Sequence, residues 1–182
     1  MKADKRPILL VFGTSADPIH AGHISLVVGA VRALQTRGEQ VAEVMLMPVF
    51  RHHNLQDTVK RSLPLTFAHR FDLSQLAAEE IKRNLEQPEL NVSVSRLEEK
   101  LAQKSNRPNF TSETLTSLRQ QTDPGQKIAF LIGVDSFSGD EPNFGQWFEW
   151  DRLLETTMLV ISPRQGFEPN FGYLQFLEDQ GA

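Results

Sequence analysis

Residues 8–23 read Ile8-Leu-Leu-Val-Phe12-Gly13-Thr-Ser-Ala-Asp-Pro-Ile-His20-Ala-Gly-His23, and the change of pattern within that stretch decides the fold. The first five residues are uniformly apolar, as expected of a strand covered on both faces in a parallel sheet. From His23 onward the period changes. Ile24, Val27, Val28, Val31 and Leu34 recur at steps of three and four, which predicts one apolar face of a helix, with Gly38 as its stop.

The same alternation continues along the chain. Val41 to Met47 reads as a second strand stopped by Pro48, and Leu73, Ala77, Ile81 and Leu85 form another helical stripe. Val92 to Ser95 reads as a short strand. Thr111 is placed to cap a helix running to about Gln121, and Asp123-Pro-Gly125 makes a turn. Ile128 to Ile132 is a strongly apolar strand ending in Gly133, Trp147 to Glu155 reads as helix, and Met158 to Ile161 is a strand stopped by Pro163. Strands alternating with helices imply right-handed crossovers and a parallel sheet. The expected fold is a single Rossmann-like, doubly wound α/β domain over residues 1–182, with about five parallel strands and helices on both faces. Ligands in such sheets bind beyond the carboxyl ends of the central strands. The segments after Phe12, Met47, Ile132 and Ile161 are therefore the ones to inspect.

Composition narrows the function classes. The 182 residues are 40% hydrophobic and 23% charged, with a net charge of −4 and a pI near 5.7. That balance gives no broad basic footprint for nucleic acid or an anionic membrane. With no cysteine, disulfides and thiolate metal sites are excluded. The apolar run at 8–12 is too short for a signal or membrane segment, so a cytoplasmic location is expected.

An anionic ligand then requires a local positive site, and Gly13 to His23 has the elements of one. Gly13 permits a tight exit from the strand, Thr14 and Ser15 supply hydroxyls, and Gly22 leaves space where the helix begins. A helix start offers free N–H groups and a partial positive charge. His20 and His23, three residues apart, can face one anion. Hydrogen bonds to a charged group are worth about 1.5–3 kcal/mol each. Singly, either histidine reads equally well as a cap or an exposed side chain. Read instead as metal ligands, His20, His23, His52 and His53 lack cysteine partners and H-E-x-x-H spacing, so no metal site is expected.

His20-Ala-Gly-His23 resembles the HxGH signature of the nucleotidylyltransferase superfamily. With Phe12-Gly13 and Asp17-Pro-Ile-His20 it is most similar to bacterial nicotinate-mononucleotide adenylyltransferases, whose pattern is close to F-G-G-T-F-D-P-I-H-x-G-H. Thr14 stands at the second glycine, Ser15 at the threonine and Ala16 at the phenylalanine. Later segments follow in the family's order, over roughly Pro7 to Phe167. Arg51-His52-His53 occupies the loop where the family carries a lysine, and the resemblance implies that Arg51, His52 or His53 binds phosphate in its place. Pro108-Asn-Phe-Thr111-Ser-Glu-Thr114-Leu115 resembles S-Y-T-x-x-T-L, which places Thr111 and Thr114 beside the acceptor. Gly133-Val-Asp135-Ser136 resembles G-x-D-S, which puts Gly133 and Asp135 at the adenosine ribose. Trp147-Phe148 resembles the aromatic pair that meets the pyridine ring, and Met158 to Arg164 resembles L-V-V-x-x-R.

The resemblance implies transfer of AMP from ATP to nicotinate mononucleotide with release of pyrophosphate. His20 and His23 would be the catalytic residues, and Gly13, Thr14, Ser15, Gly22, Arg51, His52, Gly133 and Asp135 would bind ATP. Mg²⁺ would be carried in with the ATP. The implied partners are ATP and a small mononucleotide, without nucleic acid or membrane, and a homo-oligomer is compatible. The superfamily's second signature, I-S-S-T-x-x-R, has no counterpart. The domain is thus expected to lack the usual C-terminal helical segment, with Lys60, Arg61 or Arg164 as candidate substitutes. The alternatives are a related adenylyl- or cytidylyltransferase with another phosphorylated acceptor, or a nucleotide-binding relative without catalysis.

Overall fold

A computed structural model describes residues 6–52 and 63–180; His53, Lys60 and Arg61 lie outside the described residues. Five parallel strands, β1 (Ile8–Thr14), β2 (Val41–Pro48), β3 (Asn91–Val94), β4 (Lys127–Gly133) and β5 (Met158–Ser162), form one sheet in the order β3-β2-β1-β4-β5. Among the described residues six α-helices accompany them: α1 (Ala21–Thr36), α2 (Phe67–Leu85), α3 (Leu97–Ser105), α4 (Thr111–Gln121), α5 (Trp150–Thr156) and α6 (Phe171–Asp179). This is the doubly wound α/β sheet expected from the alternating pattern.

Strand β1 is apolar on both sides because both sides are covered. Ile8, Leu10 and Phe12 pack with Val27, Val31 and Leu34 of α1 and with Ala77, Ile81 and Leu85 of α2. Leu9 and Val11 point the other way, into a second core with Leu97 of α3, Leu115 and Leu118 of α4, Leu153 of α5 and Leu177 of α6. Fully burying a side chain of this kind stabilises the fold by about 1.5–3 kcal/mol. Two facing cores therefore hold the sheet in place.

Several boundaries differ from the sequence reading. Helix α1 begins at Ala21, not after His23, because His20 itself caps it. It ends where expected, with Gly38 at φ +80 just past its last turn. Thr111 is the first residue of α4 and not its cap. Phe110 holds the cap position, and its N–H donates to Glu113 Oε2 at 3.1 Å. Trp147 precedes α5, which starts at Trp150 after Glu149 adopts a left-handed φ of +50. Helices α3 and α6 were not anticipated.

Order in the sheet creates the crevice. The chain leaves β1 for β2 on one side and returns, after β3, to β4 on the other. The carboxyl ends of β1 and β4 thus diverge at a switch point, where such folds bind ligands.

Candidate active site

A cleft of about 970 Å³ opens at that switch point. Its floor is the exit of β1 and the start of α1. Here His20 and His23 cap the helix reciprocally: His20 Nδ1 accepts the Gly22 N–H at 3.1 Å, and His23 Nδ1 accepts the His20 N–H at 3.2 Å. With Nδ1 used as an acceptor on both rings, Nε2 carries the ring proton. The two rings, with centroids 3.9 Å apart, border the cleft beside the positive end of the helix, each with its Nε2 not used by the cap. Gly22 lets the His20 ring sit close, since a Cβ there would lie 3.0 Å from His20 Cε1 and the ring would have to give way.

His23 is half-buried against Phe12. Burial lowers its pKa to about 4, with the charges of His20 and Arg164 acting in the same direction. At neutral pH it is an uncharged hydrogen-bond donor.

The loops above the floor are tied together. Ser15 Oγ lies 2.9 Å from His52 Nε2, linking the β1 and β2 exits. Below them, the buried guanidinium of Arg70 in α2 donates to the carbonyls of Ser15 at 2.7 Å and Val49 at 2.6 Å, and also to those of Leu65 and Phe50. Burial lowers the Arg70 pKa and the neighbouring Asp17 carboxylate opposes that shift; an arginine stays charged regardless.

On one wall, Thr111, Thr114 and Leu115 of α4 stand near Trp147 and Glu98. The Glu98 carboxylate accepts from Thr114 Oγ1 at 2.5 Å, from Asn109 Nδ2 at 3.1 Å and from the Phe50 N–H. Burial raises its pKa, and these hydrogen bonds oppose the rise. On the other wall, Asp135 follows Gly133 at the end of β4. A Cβ at Gly133 would collide with Asp135 Oδ1, so any side chain there would displace the Asp135 carboxylate. Asp135 Oδ2 accepts from Arg164 Nη1 at 2.8 Å.

Of the residues singled out from sequence, Gly13, Thr14, Ser15, His20, Gly22, His23, His52, Thr111, Thr114, Gly133, Asp135 and Trp147 all border this one cleft. Arg51 and Phe148 do not border it. The Arg51 guanidinium lies over the Phe50 ring, and Phe148 stacks on Phe110 with centroids 4.3 Å apart. Glu98 and the Arg70 clamp were missed. Leu97 and Leu101, four apart, were the signal for the helix that carries Glu98; nothing local marks Arg70. Among the described residues, no three His, Asp or Glu side chains are grouped to hold a metal ion. No helix among them is long and apolar enough to cross a membrane.

A doubly wound sheet with a helix N-terminus at its switch point defines the class of α/β domain that takes ligands in the crevice beyond the carboxyl ends of its strands. The family model described as cytidylyltransferase-like matches residues 11–180, and the chain belongs to that family. It is similar to a protein of Xylella fastidiosa (strain M23) named probable nicotinate-nucleotide adenylyltransferase, with 32% identity over 162 residues, 88% of this chain and 62% of the relative. A protein of the same name from Acidithiobacillus ferrooxidans is 31% identical over 160 residues, 87% of this chain and 61% of the relative. The chain thus spans about 61% of the length of such curated relatives. A crystal structure from Vibrio parahaemolyticus, provisionally named for the same activity, superposes with a TM-score of 0.59 at 20% identity. The match covers 97% of this chain and 90% of that one, and it establishes the likeness of fold.

Proposed function

We propose that this chain is a nucleotidylyltransferase that moves AMP from ATP to nicotinate mononucleotide and releases pyrophosphate. The observation that carries this reading is the reciprocal His20–His23 cap, which sets two imidazoles with Nδ1 engaged, and the helix N-terminus, at the border of one cleft. That arrangement suits a polyphosphate whose charge changes during reaction. The names of the relatives supply the acceptor.

The reaction needs no nucleophile from the protein. An ionised oxygen of the acceptor's phosphate attacks the α-phosphorus in line and forms the new P–O bond. The bond from the α-phosphorus to its bridging oxygen breaks, and pyrophosphate leaves with that electron pair. The chain's part is positioning and charge stabilisation. His20 and His23 donate to the α-phosphate and the bridging oxygen, while Thr14 and Ser15 hold the remaining phosphates. Asp135 accepts from ribose hydroxyls. Thr111, Thr114 and Trp147 form the acceptor wall, with Trp147 offering its ring face. Mg²⁺ would be coordinated mainly by the phosphates and would neutralise their charge. The two carboxylates of the cleft, Glu98 and Asp135, are both engaged by protein donors.

The test is pyrophosphate release from ATP and Mg²⁺ with nicotinate mononucleotide, nicotinamide mononucleotide and other phosphorylated acceptors in parallel. Release that depends on nicotinate mononucleotide is expected. Release with another acceptor alone would transfer the reading to a related transferase. ATP binding with no release for any acceptor would transfer it to a non-catalytic nucleotide binder.

A further inference from the structure

We propose that Arg164 is a polyphosphate-binding residue that Asp135 holds in reserve, and that nucleotide binding exchanges the partners of both. The inference rests on the nucleotide reading of the cleft given above and adds a residue and a switching step to it.

Charge balance raises the question. A nucleoside triphosphate brings several negative charges into the cleft. His23 is uncharged at neutral pH, and the hydroxyls of Thr14 and Ser15 carry none. Among the described residues bordering the cleft, Arg164 is the sole lysine or arginine. It follows the end of β5 and borders the same cleft as the α1 N-terminus, and its charge is felt at the His23 ring. A planar guanidinium matches phosphate oxygens in pairs.

In the structure that guanidinium is paired. Its Nη1 donates to Asp135 Oδ2 at 2.8 Å, and its side chain is 62% exposed against 32% for Asp135. Ion pairs this open to water are weak and exchangeable. Both members also have better partners in a bound nucleotide. A carboxylate accepts readily from the two hydroxyls of a ribose, and a guanidinium donates readily to a polyphosphate. The pair therefore keeps two oppositely charged groups compensated, and the two halves of one nucleotide separate them. No covalent change is involved.

The exchange has a signature that a purely structural ion pair lacks. Calorimetry of the full chain with ATP, adenosine and inorganic tripolyphosphate separates the two halves. Arg164→Gln should weaken ATP and tripolyphosphate by about tenfold or more, as for loss of a charged hydrogen bond, while adenosine binds as tightly as before or tighter because Asp135 is freed. Asp135→Asn should weaken adenosine and strengthen tripolyphosphate. Arg164→Lys should recover part of the tripolyphosphate affinity. Unchanged ATP affinity in Arg164→Gln overturns the phosphate role. Equal weakening of adenosine and ATP in that variant, or no gain for tripolyphosphate in Asp135→Asn, overturns the exchange. A wild-type chain that binds none of the three ligands overturns the nucleotide reading itself, a result distinct from either.

Discussion

His23 accepts the backbone N–H of His20 through its Nδ1 at 3.2 Å, while the His20 ring accepts the N–H of Gly22. Each imidazole thus spends its Nδ1 on the helix start, and both rings border the cleft. On the proposed function, stability and phosphate binding would share the same two side chains, and suitable substitutions would separate them.

His20→Ala should cost about 0.5–2 kcal/mol of stability, the usual range for a lost N-cap, and about 10²–10³ in turnover, as for removal of one preorganised donor. Asparagine is a good N-cap but has no donor where Nε2–H lies. His20→Asn should therefore recover most of the stability and little of the rate. Urea denaturation and pyrophosphate release, measured on both variants, check this. Equal recovery of both would mean that His20 acts only as a cap.

The depressed pKa of His23 sets a pH dependence of stability. The folded state keeps this ring unprotonated down to about pH 4, whereas the unfolded ring takes a proton near its ordinary value of 6.5. Between those values the unfolded state binds more protons, so stability falls as pH drops from about 6.5 to about 4. Glu98, with its raised pKa, contributes with the opposite sign in an overlapping window. The diagnostic is therefore a difference. His23→Asn should flatten the fall that the wild type shows on denaturation between pH 6.5 and 4, and an unchanged slope would refute the assignment.

The local pattern of residues 8–38 contained most of what the core required: an apolar run, a change of period and a terminal glycine. Helix α3 was less visible because Glu98, one of its buried residues, is a carboxylate, and its apolar face is reduced to Leu97, Leu101 and Ala102. Helix α6 was obscured for the opposite reason. Phe171 and Phe176 are apolar yet exposed, while Leu177 supplies its buried contact, so no clean stripe emerges. The cleft residues at Gly13–His23 form one contiguous string and could be read as such. Arg70 reaches Ser15 across 55 positions, and Arg164 reaches Asp135 across 29. Pairings of that range depend on strand order, which no local pattern encodes.

Arg70 should therefore prove costly to remove although it does not border the cleft. Arg70→Met leaves the carbonyls of Ser15 and Val49 buried without their donor. A loss on the order of 3 kcal/mol is expected, since each unsatisfied group costs about 1–3 kcal/mol. Because those carbonyls belong to the loops that hold Thr14, Ser15 and His52, ATP affinity should fall as well, with Arg70→Lys intermediate in both. Urea denaturation paired with calorimetry of ATP tests the coupling. A destabilised variant that binds ATP normally would show that the clamp serves the fold alone.

Glu98 is expected to act on the acceptor and not on ATP. Its carboxylate accepts from Thr114, Asn109 and Phe50 together, which fixes the first turn of α4 against the β2 exit. Because Thr114 donates its hydroxyl proton to Glu98, what Thr114 can offer the cleft is a lone pair. In Glu98→Gln one oxygen becomes an amide that donates, so at least one of the three donors loses its acceptor and α4 shifts. About a tenfold rise in the acceptor's KM is expected, comparable to the loss of one charge-assisted hydrogen bond, with the KM for ATP changed by less than about twofold. Steady-state kinetics with each substrate varied in turn measures both. Thr114→Val, which removes the same hydroxyl from the other side, should reproduce the acceptor effect, and the two changes together should cost less than their sum because they break one shared interaction. Additive losses would place Glu98 and Thr114 in separate roles.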